Sequence, residues 1–219
     1  MSVSSRTKRT AGFTATEVTV ALVIVAVLGT LAIPALNRAQ ESQSLKDSAI
    51  TMKGALEYAR SEAIRSGNIH IVFFEKDAEG QPLKDANDQP VPALVLDDGR
   101  AGTPNQNCKI DDGEPILPIH LESGVIGGVS SGAAALPSDQ GAGSISSGSS
   151  FTDPAGNQAF WVLFRPEGTP RSFDVNCNIG GVGSGAGAFY LTNGDRTSAV
   201  SVTPMGAGRL YSWSDGWSH

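Results

Sequence analysis

From Val18 to Leu36 the chain is almost unbroken Val, Leu, Ile and Ala, interrupted only by Thr19, Gly29, Thr30 and Pro34, and no charge falls between Glu17 and Arg38. About 20 uncharged residues at about 1.5 Å of helical rise are just enough to cross a bilayer core, so this pattern predicts a single membrane-spanning helix. Arg6, Lys8 and Arg9 precede it. By the positive-inside bias they place the N-terminus in the cytoplasm and the bulk of the protein in the periplasm. Further on, Leu45, Ala49, Met52, Leu56, Ala59 and Ala63 recur at alternating steps of four and three, one apolar stripe on a continuing helix. Lys46, Asp47, Lys53, Glu57, Arg60, Glu62 and Arg65 flank the stripe, and Gly67 reads as the stop. The pattern predicts a helix from about Thr14 to Ser66 whose second half lies across a sheet.

After Gly67 the period changes. Runs rich in β-branched and aromatic residues, bounded by Gly, Pro, Asn or Asp, predict strands at Ile69–Glu75, Ala93–Leu96, Ile116–Leu121, Phe160–Arg165, Ala188–Thr192, Ala199–Thr203 and Arg209–Trp213. Pro204-Met205-Gly206-Ala207-Gly208 joins the last two as a closing hairpin. The fold class expected is α+β, a long helix packed on an antiparallel sheet.

Composition narrows the chemistry. The first 12 residues aside, 13 Lys and Arg face 22 Asp and Glu, so the remaining chain is acidic. Nucleic-acid binding needs clustered cations to displace counterions, and no basic run is present, so no nucleic-acid partner is expected. Cys108 and Cys177 both fall in the exported part, where an oxidising compartment favours a disulfide; two unpaired thiols are the alternative. Neither their spacing nor His70, His120 and His219 form a metal-ligand pattern, so no metal and no cofactor are expected. Asp97-Asp98-Gly99 and Asp111-Asp112-Gly113-Glu114 lack the alternation of a calcium loop and read as solvated turns. Ser130 to Ser150 and Gly180 to Gly187 read as flexible loops, lacking the strand, helix and Gly-Lys-Ser/Thr of a phosphate cradle. Three scattered histidines in a Ser-rich chain support no catalytic triad, and no enzymatic activity is expected. Trp213 is expected in the core.

The N-terminus is built unlike a secretory signal, whose small-residue cleavage step follows the apolar stretch. Here the small-residue step, Ala11-Gly12-Phe13-Thr14, lies before it. Gly12-Phe13-Thr14-Ala15-Thr16-Glu17, a long apolar helix and then Pro34 resemble the N-terminus of type IV prepilins and pseudopilins. The resemblance implies cleavage after Gly12 by a prepilin peptidase and N-methylation of Phe13. It implies that Glu17 pairs with the α-amino group of a neighbouring subunit, and that Pro34 loosens the helix as the subunit enters the filament. A carboxylate at the head of an apolar helix is by itself a functional candidate, the alternative being a Glu that only complements the helix dipole.

Tyr58 to Asn68, Phe164-Arg165-Pro166-Glu167-Gly168 and the stretch from Val200 to Arg209 further resemble the GspH/FimT/FimU group of minor pseudopilins. The organisation implied is a cleaved leader over 1–12 and a helix over 13–66, membrane-spanning over about 14–36 and amphipathic over about 37–66. A β-rich periplasmic domain follows over 67–219, with a variable insertion over about 76–151, in a type IV pilin fold. The function implied is that of a minor pilin, which primes assembly of a type IV pilus and sits near its tip. A type II secretion pseudopilin is the alternative. Implied partners are other minor pilins and the major pilin or pseudopilins, the prepilin peptidase, the inner-membrane assembly platform and the membrane. A DNA-uptake receptor pilin is a further alternative, since FimT-like members can bind DNA for uptake through a basic C-terminal region, but the acidic charge disfavours it: only Arg196 and Arg209 are basic between Phe173 and His219.

Overall fold

Ala-rich sequence after Gln40 and β-branched sequence after Gly67 set the two kinds of element found. The structure, a computed structural model, describes residues 14–99, 106–130, 145–213 and 217–218. Helix α1 spans Ala15–Ser66. Ten strands follow: β1 (Ile69–Phe74), β2 (Ala93–Asp98), β3 (Ile116–Ile119), β4 (Ile126–Gly127), β5 (Trp161–Phe164), β6 (Pro170–Arg171), β7 (Gly187–Thr192), β8 (Thr197–Val202), β9 (Gly208–Trp213) and β10 (Trp217–Ser218). The chain divides into two compact units, 1–40 and 41–219.

Two expectations are corrected here. The first is the fold class. The strands form two antiparallel five-stranded sheets, ordered β3-β2-β1-β5-β6 and β10-β9-β8-β7-β4, in place of one sheet under a long helix in a type IV pilin fold. The domain is mostly β. The second is the single-pass placement in an inner membrane with a periplasmic domain. Among the described residues no helix is long and apolar enough to cross a membrane. Side chains of α1 are described chiefly over 15–30 and 39–66. Within the described stretch 15–30, Thr16, Glu17, Thr19, Gly29 and Thr30 interrupt the apolar residues. The stretch 39–66 is long enough but carries charges throughout.

In the second unit, Leu45, Ala49, Met52, Leu56, Ala59 and Ala63 are buried, all in one core with Ile71, Phe73 and Phe74 of the first sheet and Phe189, Leu191, Val200 and Val202 of the second. Burying a Leu or Met side chain contributes about 1.5–3 kcal/mol, so the stripe is a main determinant of where the helix lies. Phe189 meets Phe74 and Phe151 with tilted rings at centre separations of 4.9 and 4.6 Å, joining the sheets across the core. Ala188, Tyr190, Ala199 and Tyr211 form a smaller cluster. Trp213, expected in the core, is half-buried and meets Trp217 edge-on.

Arg60 reaches from the helix to the turns of both sheets. Its Nε donates to the carbonyl of Gly168 (3.0 Å), while Gly206 lies so near that carbonyl that a Cβ there would stand 2.7 Å from it. Within the stretch 180–187, expected to be a flexible loop, Gly181 and Val182 are exposed but Gly185 is packed: a Cβ there would fall 2.4 Å from the backbone nitrogen of Arg171. Close approach, and not freedom, explains that glycine.

One turn recurs four times, and periodicity did not reveal it. Asp77, Asp85, Asp153 and Asp174 each accept, through Oδ1, the amides two and four residues on, and each carbonyl accepts the amide three residues on. The residue three on is left-handed every time: Gly80, Asp88, Gly156 and Cys177. The first two copies are a near repeat, Lys76-Asp77-Ala78-Glu79-Gly80-Gln81-Pro82 and Lys84-Asp85-Ala86-Asn87-Asp88-Gln89-Pro90. Asp suits the first position because its short side chain mimics a backbone turn.

Candidate functional site

Thr14-Ala15-Thr16-Glu17 places a threonine three residues before an acid at the head of an apolar run, the sequence form of a capping box. The structure builds it. Thr14 donates to Glu17 Oε2 from its amide and its hydroxyl, both at 2.8 Å, and Thr14 Oγ1 accepts the Glu17 amide at 3.3 Å. These bonds, the Thr14 amide first, hold the Glu17 carboxyl below the usual glutamate value. An ionised carboxylate also suits the positive end of the helix dipole. Both donors fall on one oxygen, and the carboxylate is exposed, so it can also accept a cation.

Behind Glu17, Val18, Val20, Leu22, Val23, Ile24, Val25, Val27 and Leu28 are all exposed. Successive residues turn by about 100°, so these positions cover the helix on every side. An all-round apolar helix is one that another apolar surface covers. Of the remaining residues assigned from sequence, Gly12 and Phe13, with the whole 1–12 leader, lie outside the described residues. Pro34 lies within α1, and its side chain also falls outside the description. Cys108 and Cys177 are joined in a disulfide, with Cα atoms 5.4 Å apart. The bridge ties the loop after β2 to the fourth recurring turn.

The acidic turns differ from the solvated loops expected. Asp98 is fully buried, its carboxylate accepting the amides of Asn107 (3.3 Å) and Cys108 (2.9 Å), and Glu114 is buried with Oε2 accepting the Asp111 amide (3.0 Å). Burial pushes both carboxyls above their usual range, against the pull of those amides. Among the described residues no three His, Cys, Asp or Glu side chains are placed to hold a metal.

Sequence reading weighed His70 only as one of three scattered histidines and assigned it no partner. It is buried opposite Asp97 across the β1–β2 pair, with Nε2 3.8 Å from Asp97 Oδ1. Burial drives its pKa below the ordinary histidine value of 6.5, with Asp97 pulling the other way. A histidine depressed on folding stabilises fully above the unfolded value, and that contribution is lost as pH falls toward the folded one. Urea unfolding should therefore show wild type losing more stability than His70→Gln when the pH drops from 7 to 5. Parallel losses in the two proteins would contradict this assignment.

No family model matches the chain, no curated protein is similar to it, and no solved structure matches it.

Proposed function

We propose that this chain is a minor pilin, trimmed after Gly12 and built through its N-terminal helix into a type IV pilus, where it primes assembly and sits near the tip. One observation carries the reading: an apolar helix exposed on every side, headed by an exposed carboxylate. Like helices packed side by side cover such a surface, and the exposed Glu17 carboxylate meets the α-amino group of a processed Phe13 on the next subunit. Both charges are then neutralised where water is excluded, and the pair sets the register of one helix on another. The resemblance of Gly12-Phe13-Thr14-Ala15-Thr16-Glu17 to prepilin N-termini supports the same reading. Partners are other minor pilins, the major pilin and the prepilin peptidase.

Breaking a charge pair at a contact costs about 2–5 kcal/mol, so Glu17→Ala should lower the amount recovered in sheared external filaments by tenfold or more, with the 41–219 unit melting unchanged. Recovery equal to wild type would contradict the role of Glu17. Absence of the wild-type protein from sheared filaments, with loss of protein secretion in its deletion, would assign it instead to a secretion pseudopilus.

A further inference from the structure

Between the last turns of α1 and the β1-β2-β3 edge of the first sheet lies a cavity of about 460 Å³, within the range of small-ligand sites. Tyr58, Glu62 and Arg65 of the helix line it together with His70, Asp97 and an apolar strip that includes Val95 and Leu117. The charges do not balance. Arg65 is committed to Glu62, its Nε donating at 2.9 and 3.0 Å to the two carboxylate oxygens. Asp97 accepts from the neutral Asn68 side chain at 3.2 Å. Among the described residues its one neighbour in ion-pair range is His70, which burial keeps uncharged at neutral pH. Arg65 also acts on Asp97 through space, but the lining sets two carboxylates, Glu62 and Asp97, against this one cation, and in a partly enclosed hollow reduced screening strengthens attraction to an incoming cation.

The shape of the vacancy selects among cations. Asn68 and His70 both address Asp97 Oδ1, which leaves Oδ2 for a ligand. A guanidinium gains most from two carboxylate oxygens, whereas an ammonium is a point charge that one oxygen satisfies. The apolar strip suits methylenes, and the half-exposed Tyr58 ring can lie against the positive head. Among the described residues no three His, Cys, Asp or Glu side chains are grouped here to hold a metal.

We infer that this cavity binds an alkylammonium group, a lysine-like chain whose cation meets Asp97 and whose methylenes lie along Val95 and Leu117. The chain belongs either to a free amine or to a lysine of a partner protein. To test it, 1,5-diaminopentane and the peptide acetyl-Gly-Lys-Gly-amide are titrated separately into the isotope-labelled full chain, with pentanoate as control. The amide resonances of Asn68, His70, Asp97 and Leu117 are followed.

Saturable shifts at these positions with an amine and none with pentanoate are expected. Binding of the diamine alone identifies a free amine, and binding of the peptide identifies a protein lysine. Asp97→Asn keeps an acceptor for Asn68 and should weaken binding about tenfold or more, and the exposed Tyr58→Ala should weaken it several-fold. The Tyr58 variant decides if Asp97→Asn fails to fold. No shift with either amine, equal shifts with pentanoate, or unchanged affinity in a folded Asp97→Asn protein would overturn the assignment.

Discussion

Replacing Cys108 and Cys177 together by Ser is expected to lower the free energy of unfolding by about 4 kcal/mol and the melting temperature by roughly 10 °C. The bridge joins positions 69 apart. A cross-link of that span removes a large share of the unfolded chain's freedom, and the cost of restoring it grows only slowly with loop length. The folded state gives a second reason. Both cysteines are left-handed, at φ of 60° and 59°, a conformation that non-glycine residues adopt at some cost. Cys177 is held there by its turn: its amide donates to the Asp174 carbonyl at 2.9 Å, and Asp174 Oδ1 gathers the amides of Asn176 and Asn178. Cys108 has a nonlocal support, its amide donating to buried Asp98. Without the bridge, the segment from Gln106 to Glu114 should exchange its amide hydrogens faster, and urea unfolding of the double variant should move to lower concentration. A double variant as stable as wild type would mean that the core alone fixes this segment.

Phe189→Ala should cost about 3–5 kcal/mol, the range for deleting a fully buried aromatic ring. Phe189 has no exposed surface, and its ring lies between Phe74 of the first sheet and Phe151 of the segment before β5. Two losses combine. Its own transfer from water is lost, and a cavity opens that the neighbouring strands cannot close, because β7 is paired along its length with β8. Edge-to-face and offset ring pairs add about 0.5–1.5 kcal/mol each beyond area. Phe189→Leu should lose less than Ala, since most of the volume remains. Chemical denaturation of the three proteins checks the order, and a cost below about 1 kcal/mol for the alanine variant would show that the sheets do not depend on this contact.

The seven longer strands were legible; the two-residue strands β4, β6 and β10, and the assembly of all ten, were not. Ile69-His70-Ile71-Val72-Phe73-Phe74 and Trp161-Val162-Leu163-Phe164 are β-branched and aromatic between turn formers, which fixes them as strands from local preference alone. Both are buried on both faces, so neither shows the alternation that would tell which side meets the core. Whether β5 pairs with β1, nearly a hundred residues earlier, or with β7 is decided by packing, and one sheet and two look alike in sequence. The helix stripe from Leu45 to Ala63 was legible because its period is local.

The acidic turn at Asp98 misled for a related reason. An Asp next to Gly reads as solvent-facing, yet two amides about ten residues away satisfy it inside the protein. His70 was assigned no partner because nothing local to it announces one. Asp97 reaches it only through the β1–β2 register.

The proposal of a pilin subunit turns on the N-terminal bond that is cut. Mass spectrometry of the N-terminal peptide, taken from cells with and without the prepilin peptidase, tests it most directly. The account predicts a peptide beginning at Phe13, carrying one added methyl group, that disappears when the peptidase is absent. A chain beginning at Met1 in both would contradict it.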